Sequence, residues 1–312
     1  MNKESFQRDI FIEEIFQAAR IDRNIFFISA DFGAPALDDF RAQLPEQFVH
    51  SGISEQHMID MAAGLTLSGK KVYVYAMAPF ITLRCLEQTK TSLALMDLPV
   101  TILAVGVGLG YADAGPTHYN TEDIACMRSI VGLEVWSPCD EISTRMMAKK
   151  TISEPALRVI RMERHALPAV YRSEEDMGQG GYTKIQNGSG ICVLSCGHML
   201  HRALEAADRC TDVNPSVVDV FRIKPLKQEL VDELSTYQGV VTVEEQCLSG
   251  GFGSAILEGM ADVGLQRPVR RLGLPERYFF ENGGRDYLLD NFGLAVSDIA
   301  EAISDLAINA AK

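Results

Sequence analysis

The chain has 312 residues, of which 47% are hydrophobic and 23% are charged, a composition typical of a globular protein with two domains. Its formal net charge of -13 opposes binding to a nucleic acid or to an anionic membrane surface, because both are themselves negatively charged. No apolar run approaches the roughly 20 residues that span a bilayer, and the first residues, MNKESFQRDIFIEE, are too acidic for a signal peptide, so we expect a cytoplasmic protein.

The first half of the chain alternates between helical patterns and short apolar runs. Runs rich in Val, Ile or Phe predict buried strands, and apolar residues at helical spacing predict helices between them. The predicted strands are 25–28, 72–75 and 100–105, and the predicted helices are 8–20, 60–67 and 86–96. Strands of this composition that alternate with helices indicate βαβ units and a parallel sheet.

A polar, glycine-rich stretch at 173–190 predicts a linker, and a second alternation begins after it. The second series has strands at 191–194, 216–220 and 240–243 and helices at 201–209, 228–237 and 253–262. We therefore predict an α/β protein with two domains, 1–176 and 187–312, each a mostly parallel sheet flanked by helices.

Two clusters of polar residues lie on loops that lead into helices. The sequence Gly52-Ile-Ser-Glu55-Gln-His57 precedes an apolar helix, and Gly110-Tyr-Ala-Asp113-Ala-Gly-Pro-Thr-His118 follows a buried strand. Loops at the carboxyl ends of parallel strands gather at one edge of the sheet, where ligands usually bind.

These clusters resemble a known family. GISEQHMIDMAAGLTLSGKKVYVY resembles the start of the pyrimidine-binding domain of the transketolase and deoxyxylulose-phosphate synthase family, and AGPTH resembles its substrate loop. The second domain has the related segments KPL, TVEE, GGFGSA and GRDYLLDNFGL in the same order. The chain thus resembles the carboxy-terminal half of a split transketolase, with a pyrimidine-binding domain and a transketolase C-terminal-type domain.

The resemblance implies that Glu55 binds the pyrimidine ring of thiamine diphosphate. A carboxyl group that shares a proton with the ring nitrogen favours the imino tautomer, which lets the exocyclic amine of the cofactor act as a base. Without the resemblance, the favoured interpretation of Glu55 is a carboxylate that stabilises the start of a helix.

The resemblance also assigns cofactor contacts to Phe80 and Asp31. Phe80 follows the strand VYVYA at the place where the family stacks an aromatic ring on the pyrimidine, although a core position is the alternative. Ser29-Ala-Asp31 resembles the SAD sequence of the family, which places Asp31 near the cofactor.

Four residues are implied in binding sugar-like substrates. His118 corresponds to a catalytic histidine that approaches the substrate oxygen, with a buried structural role as the alternative. His57 either contacts substrate or supports its loop, and Asp113 stands one residue before the position of a substrate-binding aspartate, which here is Ala114. Arg164 corresponds to a phosphate-binding arginine, and a guanidinium can equally bind a carboxylate or a sulfonate.

The family's Gly-Asp-Gly motif with its metal-ligating Asn does not occur in the sequence, so we assign no metal ligand to this chain. The resemblance therefore implies a partner, an N-terminal-type subunit that holds the diphosphate and Mg²⁺ or Ca²⁺ in an α2β2 heterotetramer.

The expected activity is that of a transferase of carbohydrate metabolism, moving a two-carbon ketol unit from a ketose to an aldehyde. A deoxyxylulose-phosphate-synthase-like or 2-oxoacid-decarboxylating subunit is the first alternative, and a non-catalytic regulatory subunit is the second.

Overall fold

A computed structural model describes residues 6–30 and 33–310 of the chain. These residues form two units. The first contains the chain up to Val107 together with Cys126–Ala169, and the second contains Gly108–Ala125 together with the chain from Val170 onward. The domain limits predicted from the sequence stay a prediction.

The first unit contains a sheet with six parallel strands. The strands are β1 (Ile25–Ala30), β2 (Phe48–Gly52), β3 (Lys71–Met77), β4 (Val100–Val105), β5 (Glu134–Trp136) and β6 (Arg158–Met162). Their order in the sheet is β5-β6-β4-β3-β1-β2. Strand β4 is buried along its whole length, as expected for a parallel sheet covered on both faces.

Helices connect these strands. The helices are α1 (Gln7–Ala19), α2 (Leu37–Gln43), α3 (Glu55–Leu67), α4 (Ala78–Ile81), α5 (Leu86–Gln88), α6 (Asp123–Arg128) and α7 (Glu141–Ser153). A π-helical segment, Thr89–Ala94, continues α5. A capping box starts α7, where the Asp140 carboxylate accepts a hydrogen bond from the Ser143 backbone N–H.

The second unit contains a five-stranded sheet. Its strands are β7 (Thr183–Gln186), β8 (Ile191–Ser195), β9 (Ser216–Asp219), β11 (Gly239–Cys247) and β12 (Val269–Leu274), and a short strand β10 (Arg222–Lys224) follows β9. The order is β12-β11-β8-β9-β7, parallel except for the antiparallel pair β7 and β9. Its helices are α8 (Met199–Arg209), α9 (Gln228–Leu234), α10 (Phe252–Asp262), α11 (Arg285–Asn291) and α12 (Val296–Ala310). The predicted fold class is therefore confirmed.

The segment 108–125 is tied to strand β11 of the second unit by hydrogen bonds. The Cys247 N–H donates to the Thr121 carbonyl at 2.9 Å, and the Gln246 side-chain amide donates to the Asn120 carbonyl at 2.8 Å. The segment closes on itself through two backbone hydrogen bonds between Gly108 and Asn120. In the described part of the chain, no helix is both long and apolar enough to cross a membrane.

Candidate active site

Glu55 is the first residue of α3, directly after a tight turn that ends β2. Gly52 has a φ of 71°, in the left-handed region that glycine adopts without a side-chain clash, and this turns the chain from the strand toward the helix. The Ser54 hydroxyl donates to the Ser51 carbonyl at 2.6 Å and fixes the turn. The carboxylate of Glu55 is buried at a helix start, where the helix dipole favours negative charge.

The Glu55 side chain pairs with Arg84 across the fold. Arg84 Nη1 donates to Glu55 Oε2 at 2.7 Å, and the side chains of Arg84 and Glu55 are 41% and 7% exposed respectively. A buried carboxylate needs such a partner, because removing it from water without a hydrogen bond is costly. Arg84 is therefore the hydrogen-bond partner of this buried carboxylate in the described structure.

The same guanidinium covers the ring of Phe80. Phe80 lies in α4, directly after β3, and is partly buried. The Arg84 Cζ atom lies 4.2 Å from the centroid of the Phe80 ring, within the range of a cation–π contact. Glu55, Phe80 and Arg84 therefore form one group, which we call the Glu55–Arg84–Phe80 cluster.

Arg84 was not predicted from the sequence as a site residue. The available signal was a single cation in the mostly apolar run PFITLRCL, four residues after Phe80. A local pattern could not show that this cation meets a carboxylate 29 residues earlier in the chain.

The cluster fits the aminopyrimidine part of thiamine diphosphate. The Arg84 guanidinium, which is planar and carries nitrogen donors, binds the Glu55 carboxylate and lies over the Phe80 ring at the same time. An aminopyrimidine has the same requirements, because it is flat and has nitrogen atoms that form hydrogen bonds in the plane of the ring. The residues of this chain can therefore hold the pyrimidine end of the cofactor.

His57 and Arg164 lie outside this cluster. His57 is exposed on α3, and residues two positions apart on a helix do not face each other, so His57 and Glu55 point in different directions. Arg164 follows β6 and is partly buried, and its backbone N–H donates to Glu163 Oε1 at 2.6 Å. Asp31 lies outside the described residues.

Asp113 and His118 share the segment 108–125 of the second unit. Asp113 is exposed, and His118 is partly buried. A turn at Gly115, where the His118 N–H donates to the Gly115 carbonyl at 2.9 Å, sets the backbone of the histidine. The Thr117 hydroxyl is hydrogen-bonded to His118 Nδ1 at 2.9 Å, and this contact orients the imidazole. No group of three or more His, Cys, Asp or Glu side chains that could hold a metal occurs among residues 6–30 and 33–310.

Comparison with known proteins identifies the family. The model of the transketolase pyrimidine-binding domain matches residues 7–170, and the model of the transketolase C-terminal domain matches residues 180–299. The chain belongs to the transketolase family, whose members depend on thiamine diphosphate.

Two curated relatives define the part of the family enzyme to which the chain corresponds. It is 32% identical over 292 residues to one subunit of the apulose-4-phosphate transketolase of Phocaeicola vulgatus, and the match covers 92% of this chain and 93% of that subunit. It is 33% identical over 304 residues to the 1-deoxy-D-xylulose-5-phosphate synthase of Gloeobacter violaceus, of which it spans only 47%. The resemblance predicted from the sequence is thus confirmed.

Solved structures agree with this assignment. A split-gene transketolase, described as an inactive beta4 tetramer, has a TM-score of 0.86 and 28% identity, with 98% of this chain and 99% of that chain covered. A transketolase of Pichia stipitis shares the fold, with a TM-score of 0.80 and 17% identity over 46% of its length. The chain is a transketolase-family subunit, homologous to the subunits of split transketolases.

Proposed function

We propose that this chain is the pyrimidine-binding subunit of a thiamine-diphosphate-dependent transferase that moves a two-carbon ketol unit from a ketose to an aldehyde. The observation that carries the proposal is the buried carboxylate of Glu55 beside the ring of Phe80. Both contact the same planar group, the Arg84 guanidinium. A carboxyl group and an aromatic ring in this arrangement meet the needs of an aminopyrimidine.

Each residue has a defined task in this proposal. Thiamine diphosphate, when bound, supplies a nucleophilic carbon and an electron sink for breaking the carbon–carbon bond. Glu55 holds a proton at the pyrimidine ring nitrogen, and Phe80 supports the ring by stacking. His118 exchanges a proton with a substrate oxygen, and Thr117 keeps its imidazole oriented through Nδ1.

Four further residues contact the substrate or the cofactor in this proposal. Arg164 supplies a cation for an anionic substrate group, Asp113 and His57 supply polar contacts to a sugar-like chain, and the family resemblance makes Asp31 a proposed cofactor contact. Ala114 stands where the family has an aspartate in this loop, so we do not carry over the sugar-phosphate specificity of common transketolases to this chain. A cytoplasmic location and a role in carbohydrate metabolism belong to the same proposal.

A second subunit completes the enzyme. The chain matches nearly the whole of a relative that is itself named as one subunit of a transketolase, but only about half of the single-chain synthases. We propose that the other half is a separate N-terminal-type chain that binds the diphosphate and Mg²⁺ or Ca²⁺, in an α2β2 assembly. Without that chain we expect no turnover.

Two alternatives to this activity have different support. The 33% identity to 1-deoxy-D-xylulose-5-phosphate synthase favours a related enzyme that uses a 2-oxoacid donor. Turnover with pyruvate and not with ketoses would establish that alternative. A regulatory subunit without activity has no need of the Glu55–Arg84–Phe80 cluster, which opposes this second alternative.

Glu55→Gln in the complex reconstituted with the metal-binding subunit tests the proposal. Loss of a positioned acid–base group predicts a decrease in kcat of about 10²- to 10⁴-fold with ketose donors. Glu46→Gln is a matched control, because Glu46 is exposed in the first unit. Undiminished activity of Glu55→Gln in a correctly assembled complex would contradict the assignment.

A further inference from the structure

Arg84 makes both contacts that the proposed function assigns to the cofactor ring. Its Nη1 atom donates to Glu55 Oε2 at 2.7 Å, and its guanidinium carbon lies 4.2 Å from the centroid of the Phe80 ring. Glu55 and Phe80 belong to different helices, yet a single side chain satisfies both.

A guanidinium and an aminopyrimidine are chemically alike in the features that this cluster recognises. Both are planar and delocalised, both present N–H donors in their plane, and both stack on an aromatic ring. A ring face that is covered by the guanidinium is closed to a second planar group. Arg84 and a pyrimidine that stacks on this face of Phe80 therefore exclude each other.

The backbone of Arg84 is held, whereas its side chain can leave. The Gln56 amide donates to the Arg84 carbonyl at 3.2 Å, and the Arg84 N–H donates to the Pro79 carbonyl at 3.3 Å. Its side chain is 41% exposed, so a rotation returns the guanidinium to water at little cost. Glu55 is 7% exposed and cannot be rehydrated as easily.

This asymmetry explains why the free subunit needs Arg84. A buried carboxylate without a hydrogen-bond donor is costly, and a flexible cation beside it removes the cost until another donor arrives.

We propose that Arg84 is an internal stand-in for the aminopyrimidine, which occupies the Glu55–Phe80 position in the free subunit and is displaced when thiamine diphosphate binds. The inference rests on the proposed function, because it takes thiamine diphosphate as the ligand of the cluster. Arg84 lowers the affinity for the cofactor, since its two contacts must be broken before the ring can enter.

Calorimetric titration of the assembled enzyme with thiamine diphosphate and Mg²⁺ tests the inference. Arg84→Ala removes the competing side chain, and we expect the Kd for thiamine diphosphate to fall by about tenfold, since the contacts of a partly exposed guanidinium with Glu55 and with the Phe80 ring are both modest. Arg84→Lys keeps the charge but lacks the planar fork, so a smaller decrease is expected. Arg23→Ala is the matched control, because it removes an exposed arginine of the same unit.

The outcomes separate the inference from the proposed function. Unchanged or weaker binding by Arg84→Ala, in a complex whose circular dichroism and assembly match the wild type, would overturn the stand-in role and leave the proposed function intact. Failure of the wild-type complex to bind thiamine diphosphate would overturn both. Tighter binding that disappears when Glu55→Gln is also present would support the inference, because the two side chains then act through one contact.

Discussion

The Cys85 thiol donates a hydrogen bond to the backbone carbonyl of Phe80, with Sγ 3.2 Å from the oxygen. The carbonyl belongs to the residue whose ring we propose as the stacking partner of the cofactor. Burial raises the pKa of the Cys85 thiol to about 12, and the nearby negative charge of Glu55 adds to the rise. The thiol therefore stays protonated and keeps its role as a donor.

A protonated, buried thiol predicts low chemical reactivity. Because the thiolate is the nucleophile, a raised thiol pKa means less reaction at any pH below it. At about pH 8 we expect iodoacetamide to label Cys126, which is partly exposed, well before Cys85. Mass spectrometry of the native chain measures both rates. Equal labelling of the two cysteines would contradict the burial of Cys85.

Gly108→Ala should disturb the segment that carries Asp113 and His118. Gly108 has a φ of +59°, and an added Cβ would lie 2.2 Å from Glu245 Oε2. Glu245 cannot move aside easily, because Arg285 Nε donates to its Oε1 at 2.7 Å in a buried pair. We expect Gly108→Ala to lower the free energy of unfolding by about 3 kcal/mol or more.

Gly264→Ala is the matched control for this substitution. Gly264 has a φ of +71° but nothing within 4 Å of an added Cβ, so only backbone strain of about 1–2 kcal/mol is expected. Urea unfolding of both variants isolates the effect of the collision with Glu245. Equal losses in the two variants would show that the segment 108–125 adapts without cost.

Glu244→Ala should weaken the start of α10. The Glu244 carboxylate accepts hydrogen bonds from the backbone N–H groups of Phe252, at 2.6 Å, and Gly253, at 2.8 Å. Without the carboxylate both buried N–H groups lose this partner, at a cost of about 2–4 kcal/mol in the free energy of unfolding. Glu301→Ala, at an exposed position on α12, should cost less than about 0.5 kcal/mol. Denaturant titration compares the two variants, and equal losses would contradict the capping role.

Thr117→Val tests whether the hydroxyl beside His118 matters for catalysis. The variant removes the hydrogen bond to Nδ1 and should lower kcat of the reconstituted enzyme by about three- to tenfold, the usual worth of one hydrogen bond. Thr117→Ser keeps the hydroxyl and should retain activity. Equal kcat values in the two variants would show that Thr117 does not orient the imidazole.

Strongly apolar elements could be predicted from local pattern alone. Strand 100–105 was predicted with the bounds that β4 has, and the run at 25–28 lies within β1. Helix α3 begins at Glu55 rather than at the predicted residue 60, because its first turn, Glu-Gln-His-Met, is mostly polar and has no apolar periodicity. Strand β2 has no fully buried residue and therefore gave no strand signal.

Contacts between distant residues could not be predicted. Glu55 and Phe80 were predicted through family resemblance, but the cation that joins them depends on how α3 and the turn after α4 pack. The anchoring of Asn120 and Thr121 by Gln246 and Cys247 joins residues more than 120 positions apart. No periodicity or spacing in one sequence encodes such a contact.

The chain enters the second unit at Gly108, leaves it after Ala125 and returns at Val170. A chimera with another transketolase subunit that joins the two sequences only at position 170 would therefore combine a foreign segment 108–125 with the native strand β11. Exchange of whole units by recombination requires crossovers at three places.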